Sequence, residues 1–479
     1  MAIAAWRAQA RTQARIHRLR AGLGFFASYG GRVTVQAVIL SGGAGERAYP
    51  LSADRPKPMF ELLGKPLMQY VIENLVDAGI EDLIIIAGPQ SKPIEEHFGR
   101  GDSWGASIRY AVQEQPLGMA NALTSAAHLL EDRFLMINGN DVFEPHLLTD
   151  VLGKADQTGT DMVLVGREMK SPWRFGVFQF TNGKVTGVVE KPPQGEEPSN
   201  VVVVGVYLFS RLILEYIERT PLTNFQLEAA YQRLIEEGNV EFVPYDGVFE
   251  SFKYPWDLLA INEHLMARAL TEPYVSERAE VSPRAVLDGN VHIEEGVRVF
   301  ENAVIRGPAY IGRNSVIGNN VLIWNHSSIG ANSVVGFSSE IKHSLIGSNC
   351  WIHMSYVGDS IVSDNCSFGA GTITANFRFD EGEVPVTVAG QEVSSGTDKL
   401  GVIMGSHSKT GCNATLMPGV RVGPHSIVGP GVMLRDDLPA DRLIMGPAPY
   451  TITKNEIVLS DEAKEDKMKV LRERTRSQT

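Results

Sequence analysis

Cysteine is scarce in this chain. Its 479 residues hold three, Cys350, Cys366 and Cys412, and none stands in a CxxC pair. That excludes a disulfide scaffold and a zinc ribbon and fits a reducing compartment. No run of about 18 apolar residues occurs, so no membrane-spanning helix is expected. Basic charge is in deficit: 44 Lys and Arg against 56 Asp and Glu give a formal net charge of −12. An acidic balance of that size argues against nucleic acid as a general partner. Two standard phosphate-binding fingerprints are missing as well. Gly43 to Ala48 reads GAGERA and lacks the third glycine of a dinucleotide loop, and no Gly-Lys-Ser/Thr is present.

What remains is an ordinary globular composition, 43% hydrophobic and 21% charged, long enough for two or three domains. Residues 1–32 carry six arginines and no acid, which reads as a disordered basic extension rather than a signal. From 33 to 268, near-continuous apolar runs such as AVIL and LIIIAG alternate with amphipathic segments such as PLMQYVIENLVDAGI. That alternation predicts an α/β, Rossmann-like domain with a mainly parallel sheet. Asn182-Gly183 between two alternating runs predicts a hairpin, an antiparallel addition that makes the sheet mixed.

A linker is expected at 269–280, and beyond it the pattern changes. Every sixth residue from Val281 to Ile341 is a branched aliphatic, and the period returns at Leu416, Val422, Val428 and Leu434. A hexapeptide repeat of this kind predicts a parallel β-helix over 281–446, each rung adding one aliphatic to a stacked column. Residues 377–398 interrupt the period and read as an insertion between rungs. The polar segment 447–479 reads as a tail.

Chemistry first suggests itself after the apolar run Val38-Ile39-Leu40, where the chain reads SGGAGERAYPLSADRPKP. Gly42, Gly43 and Gly45 let backbone N–H groups turn toward an anion without obstruction by Cβ. Arg47 and Lys57 add two cations. Such a set suits a triphosphate whose pyrophosphate leaves, because charge grows on the departing oxygens.

The stretch LSGGAGERAYPLSADRPKPMFELLGKPLMQY resembles the N-terminal signature of the sugar-1-phosphate nucleotidyltransferases. The resemblance continues in QEQPLGMANAL, which implies Gln115 and Gly118 at the nucleotide base. It implies Asp141 of NGND as a magnesium ligand. It further implies Gly176, Glu190, Lys191, Asn200 and Val203 around the sugar phosphate. A second metal carboxylate is expected within FESFKYPWDLL. There Ser251 falls at the family's metal position, and Asp257 is the candidate acid.

The hexapeptide half resembles left-handed β-helix acyltransferases. The joined pair resembles the bifunctional N-acetylglucosamine-1-phosphate uridyltransferase/glucosamine-1-phosphate acetyltransferase family. EIKHSLIGSNCWIHMSYVGDS implies His353 as general base with Lys342 and Tyr356 nearby, FGAGTITANFRFD implies Asn376, and DKLGVIMG implies Lys399. A histidine near pKa 6.5 is matched to taking the proton from an amine that attacks a thioester. The resemblance implies a nucleoside triphosphate and a sugar-1-phosphate as substrates. It also implies Mg²⁺, acetyl-CoA as co-substrate, a homotrimer and a cytoplasmic location. Two alternatives remain open. One is a glucose-1-phosphate thymidylyl- or uridylyltransferase with a structural β-helix. The other is a non-catalytic regulatory subunit that binds nucleotide sugars.

Overall fold

The structure is a computed structural model that describes residues 35–89, 92–223, 225–446 and Lys469. The extension 1–32 and, apart from Lys469, the tail 447–479 lie outside the described residues. The strand Gln36–Ser41 is buried along nearly its whole length because it lies mid-sheet. It pairs in parallel with Arg133–Asn138 on one side and Asp82–Ala87 on the other, and Ser107–Val112 follows in parallel at the edge. Val201–Ser210 runs antiparallel to Arg133–Asn138. It carries the hairpin Gly176–Thr181/Lys184–Glu190, whose Asn182-Gly183 turn has φ of 53° and 77°, the left-handed values such a turn needs. Helices cover both faces, and apolar clusters fill each side of the sheet. The mixed α/β sheet expected from the sequence is therefore present.

The β-helix starts inside the stretch expected to be a linker. Tyr274–Val275 already pairs with Val291–Ile293, and Glu280–Val281 with Arg298–Val299. Three parallel sheets of 8, 9 and 8 strands then form the left-handed β-helix. Residues 18 apart stack, so the period of six fills three fully buried columns, Ile293–Ile311–Ile329, Ile305–Ile323–Ile341 and one through Ile317. Each such side chain stabilises the fold by about 1.5–3 kcal/mol. Asparagines turn the corners: Asn302, Asn314, Asn320 and Asn332 hold φ of 56–59°, which asparagine tolerates better than most residues. Their amides stack from rung to rung, Asn302 on Asn320 and Asn314 on Asn332, both at 3.2 Å.

The period shortens where the sequence lost phase. The interior positions run Ile341, Ile346, Ile352, Val357, Val362, so three of these steps have five residues. Each short step holds a residue at positive φ: His343, Met354 and Asp359. The interruption at 377–398 contains the hairpin Pro385–Val388/Gln391–Ser394. Its Val384, Val386 and Val388 pack into a cluster with Leu51, Phe60 and Phe252 of the first domain. The glycine-loop segment is fastened to the β-helix directly. Arg55 pairs with Asp364, Ser406 Oγ donates to Asp54, and the Ala440 N–H donates to Tyr49 Oη at 3.2 Å.

Candidate active site

The loop after Gln36–Ser41 is shaped by what its glycines exclude. A Cβ on Gly42 would meet Gln113 Oε1 at 2.3 Å. Gly45 has φ 72°, and a Cβ there would meet Ser52 at 2.9 Å. Gly43 faces open space, so its backbone is accessible to a ligand. Gly118 precedes the helix Met119–Ser125 with φ 101° and ψ 179°, a conformation reserved for glycine.

The two glutamines of the segment QEQ are placed differently. Gln115 is exposed, whereas Gln113 is buried between Gly42 and the 118 turn. Gln113 Nε2 donates to Gly118 O and Asn121 Oδ1, both at 3.0 Å. The strand Ser107–Val112 ends one residue earlier, and strand alternation sends 113 inward.

Asp141 is almost wholly buried, at 1% exposure. It starts the short strand Asp141–Phe143, which pairs with Phe249–Ser251 so that Ser251 stands opposite it. Ser251 Oγ donates to Asp141 Oδ1 at 2.6 Å, and Asn138 Nδ2 donates to Oδ2 at 2.8 Å. Burial pushes its pKa up to about 6, against the pull of those two bonds and of Lys253 and Lys57. Gly205 backs this carboxylate: a Cβ there would stand 3.1 Å from Oδ2.

Lys57 donates to Phe252 O at 2.9 Å. Burial, then the charge of Arg47, brings its pKa down to about 8, while Asp141 and Asp257 oppose the fall. Arg47 is exposed at the mouth, 6.0 Å from the Tyr254 ring centre. Lys253, unnoticed in the sequence, completes the group. Burial lowers its pKa, Asp141 counters, and Arg47, Asp257 and Lys191 also act on it. Arg47, Lys57, Lys191 and Lys253 thus share one field with Asp141. A lone lysine in SFKYP gives no sign of this, because only the pairing of Phe249–Ser251 with Asp141–Phe143 carries it there.

Asp257, the candidate second metal acid, braces a turn through one of its oxygens. Its Oδ2 accepts the N–H groups of Lys253 and Tyr254 at 2.8 and 2.7 Å, bracing the turn into the helix Asp257–Ala269. Within this segment it is Ser251 that hydrogen-bonds Asp141. Among the described residues no group of three or more His, Cys, Asp or Glu could cage a metal. One buried carboxylate beside four cations still fits Mg²⁺, which takes few protein ligands when phosphates supply the rest.

The sugar-side residues split into two sets. A Cβ on Gly176 would meet Glu190 Oε2 at 2.8 Å and Val203 Cγ2 at 3.4 Å, so these three adjoin. Lys191 follows with φ 47°, its N–H donated to Phe175 O. Asn200 is exposed and offers its carbonyl to Met169 N at 2.9 Å.

On the β-helix, Asn376 Nδ2 donates to Tyr356 Oη at 3.3 Å, and Lys342 pairs in register with Gly358 beside them. His353 is exposed at the corner before Tyr356, and its ring neighbour is Trp351 at 6.4 Å. Lys399 is exposed at the foot of the insertion, bridged to Phe377. Of the five residues, Asn376 and Tyr356 share a hydrogen bond.

Comparison with known proteins agrees with this layout. The nucleotidyl transferase family profile matches residues 36–247, and the bacterial transferase hexapeptide profile matches 290–323 and 401–436. The bifunctional protein GlmU of Methanococcus maripaludis strain C7 is 39% identical over 88% of this chain and 99% of its own length. GlmU of Methanocaldococcus jannaschii is 36% identical over 86% of this chain and 97% of its own. The bifunctional sugar-1-phosphate nucleotidylyltransferase/acetyltransferase of Sulfurisphaera tokodaii is 31% identical over 84% and 98%. Enzymes of this kind generally need a divalent metal, and nucleotides and sugar phosphates are the substrates expected of them. No helix among the described residues is long and apolar enough to cross a membrane. The chain is a nucleotidyltransferase joined to a hexapeptide-repeat transferase domain and belongs to the bifunctional GlmU family.

Proposed function

We propose that the first domain joins UTP to N-acetylglucosamine-1-phosphate and releases pyrophosphate. The observation that carries this reading is the field shared by Asp141, Lys57, Lys253 and Arg47 beside the glycine loop. The sugar phosphate oxygen attacks the α-phosphorus. A new P–O bond forms, and the bond to the bridging oxygen of pyrophosphate breaks. Lys191 orients the attacking phosphate, while Arg47 and Lys57 stabilise the charge on the leaving group. Asp141 would hold Mg²⁺, which when bound neutralises charge across the phosphates. No covalent intermediate is required. Gly176, Glu190, Asn200 and Val203 are assigned to the sugar side, and Gly118 with Gln113 to the base side.

The β-helix is assigned a second reaction, transfer of the acetyl group of acetyl-CoA to the amine of an amino-sugar-1-phosphate. His353 takes the amine proton, the N–C bond forms, and the thiol leaves. Lys342, Tyr356, Asn376 and Lys399 bind the acceptor. The exposed ring of His353 is free for this work, and Trp351 and Met354 beside it are exposed at 53% and 51%. Apolar surface at that position supports a homotrimer whose subunits complete the pocket. The substrates are cytosolic metabolites, which assigns the enzyme to the cytoplasm. Assaying the purified chain with each sugar-1-phosphate and nucleotide, with and without acetyl-CoA, tests both assignments. Pyrophosphate release with no acetyl transfer would leave the nucleotidyltransferase with a structural β-helix.

A further inference from the structure

A chain of charged side chains crosses from the first domain into the β-helix. Glu263 lies on the helix Asp257–Ala269, the last helix before the rungs begin. Its Oε1 is 2.7 Å from His343 Nε2, and the other ring nitrogen, Nδ1, is 2.8 Å from Asp359 Oδ1. The second oxygen of Asp359 accepts Asn376 Nδ2, and that same amide nitrogen reaches Tyr356 Oη. Four contacts thus connect a helix of the nucleotidyltransferase domain to two residues of the acyl-acceptor pocket.

The chemistry of the links fixes their direction. A carboxylate only accepts hydrogen bonds, so an imidazole held between two carboxylates must donate from both nitrogens. His343 is therefore held as the imidazolium. Burial works against the charge, yet Asp359 and Glu263 outweigh it and raise the histidine's pKa. The other charged or titratable neighbours are Lys342, adjacent in the chain, and His326, whose ring centre lies 6.2 Å away on the rung below. Asp359 is 4% exposed, so its carboxylate is held by partners rather than by water. Because Asp359 accepts only, Asn376 must present its NH₂ to it, which leaves Asn376 Oδ1 as an acceptor. An acceptor oxygen in that pocket suits the N–H or O–H groups of an amino sugar. His343 and Asp359 occupy two of the shortened corners, so the break in the hexapeptide period is what brings them to the same edge.

We propose that Glu263, a residue of the nucleotidyltransferase domain, is a positioning residue for the acyl-acceptor pocket of the β-helix. It acts through His343 and Asp359 to fix the amide of Asn376 against Tyr356. This rests on the acetyl-transfer reading above, and it makes one domain's helix set the geometry of the other domain's site. Because the pKa of His343 is raised, the double grip is complete below 6.5. It is lost as pH rises through the folded-state value, when one of the two N–H donors disappears.

The test compares wild type, Glu263→Ala and Glu263→Gln in acetyl transfer to glucosamine-1-phosphate and in pyrophosphate release. Glu263→Ala is expected to raise KM for the amino-sugar phosphate about fivefold or more. It should also move the basic limb of acetyl-transfer kcat/KM to lower pH. Pyrophosphate release should stay within about twofold, which shows that the fold is intact. Glu263→Gln, still an acceptor, should recover most of the KM but not the pH shift. An unchanged KM and pH profile in Glu263→Ala overturns the proposal, as does a loss shared equally by both reactions. A wild type that transfers no acetyl group overturns the acetyl-transfer reading instead. The relay is then read by NMR titration of the His343 ring. A higher titration midpoint in wild type than in Glu263→Ala supports the link, and equal midpoints overturn it.

Discussion

Ser251 and Asp141 are 110 residues apart in the chain, yet the Ser251 hydroxyl donates to the Asp141 carboxylate at 2.6 Å. A two-stranded antiparallel ladder, Phe249–Ser251 on Asp141–Phe143, creates the contact. It puts a hydroxyl, not a second carboxylate, directly opposite Asp141. It also explains why Lys253, two residues on, enters the same field.

That arrangement implies a bell-shaped pH dependence for nucleotidyl transfer. Asp141 must be ionised to hold a cation, and its pKa is near 6. Lys57 must be charged to meet the leaving group, and its pKa is near 8. The profile of kcat/KM, which reports the free enzyme, should fall below the first value and above the second. A flat profile from pH 5 to 9 would contradict the assignment.

Asp141 should weigh against stability while serving activity. Its folded pKa is raised from 3.8 to about 6, so its contribution favours folding below 3.8 and is lost as pH rises through 6. At pH 8 the buried charge costs on the order of 2–3 kcal/mol. Asp141→Asn should therefore melt higher than wild type at pH 8 without metal, with the gap shrinking at pH 5. It should also lose pyrophosphate release. Melting curves at the two pH values read this directly.

Asp257 separates a brace from a ligand. Removing its carboxylate orphans two backbone N–H groups, so Asp257→Ala should cost about 1 kcal/mol, seen as a lower Tm. The Mg²⁺ concentration for half-maximal activity should move far less than in a Ser251→Ala or Asp141→Glu protein. Equal or larger movement in Asp257→Ala would make Asp257 a metal ligand.

His353 should matter to one reaction only. His353→Ala is expected to lower acetyl transfer by about 10²–10⁴, the usual worth of a general base, with pyrophosphate release unchanged. Loss of nucleotidyl transfer would show that the two activities are not divided between the domains in this way.

How much of this was legible in the sequence depends on whether a feature is local. The hairpin at Asn182-Gly183, the glycine loop and the six-residue aliphatic repeat from Ile293 to Ile341 are set by neighbouring residues, and periodicity exposes them. Lys253 and the pairing of Ser251 with Asp141 were hidden because long-range strand pairing makes them. Which of Gln113 and Gln115 turns inward is not legible, because both stand in one short segment and only the end of the strand Ser107–Val112 decides it. The β-helix begins one strand before the period counted from Val281: Val275 stands six residues earlier, and Tyr274–Val275 already pairs with Val291–Ile293. The loss of period after Ile341 signalled a break. That break holds the His343 and Asp359 corners and so the relay from Glu263, which no spacing rule reveals.

The most direct measurement is pyrophosphate release from UTP and N-acetylglucosamine-1-phosphate by wild type and by Lys57→Ala. Loss of one such cation should remove about 2.7–4 kcal/mol of transition-state stabilisation, a hundredfold or more in kcat, with the fold intact by melting. A Lys57→Ala protein that releases pyrophosphate at the wild-type rate would contradict the account.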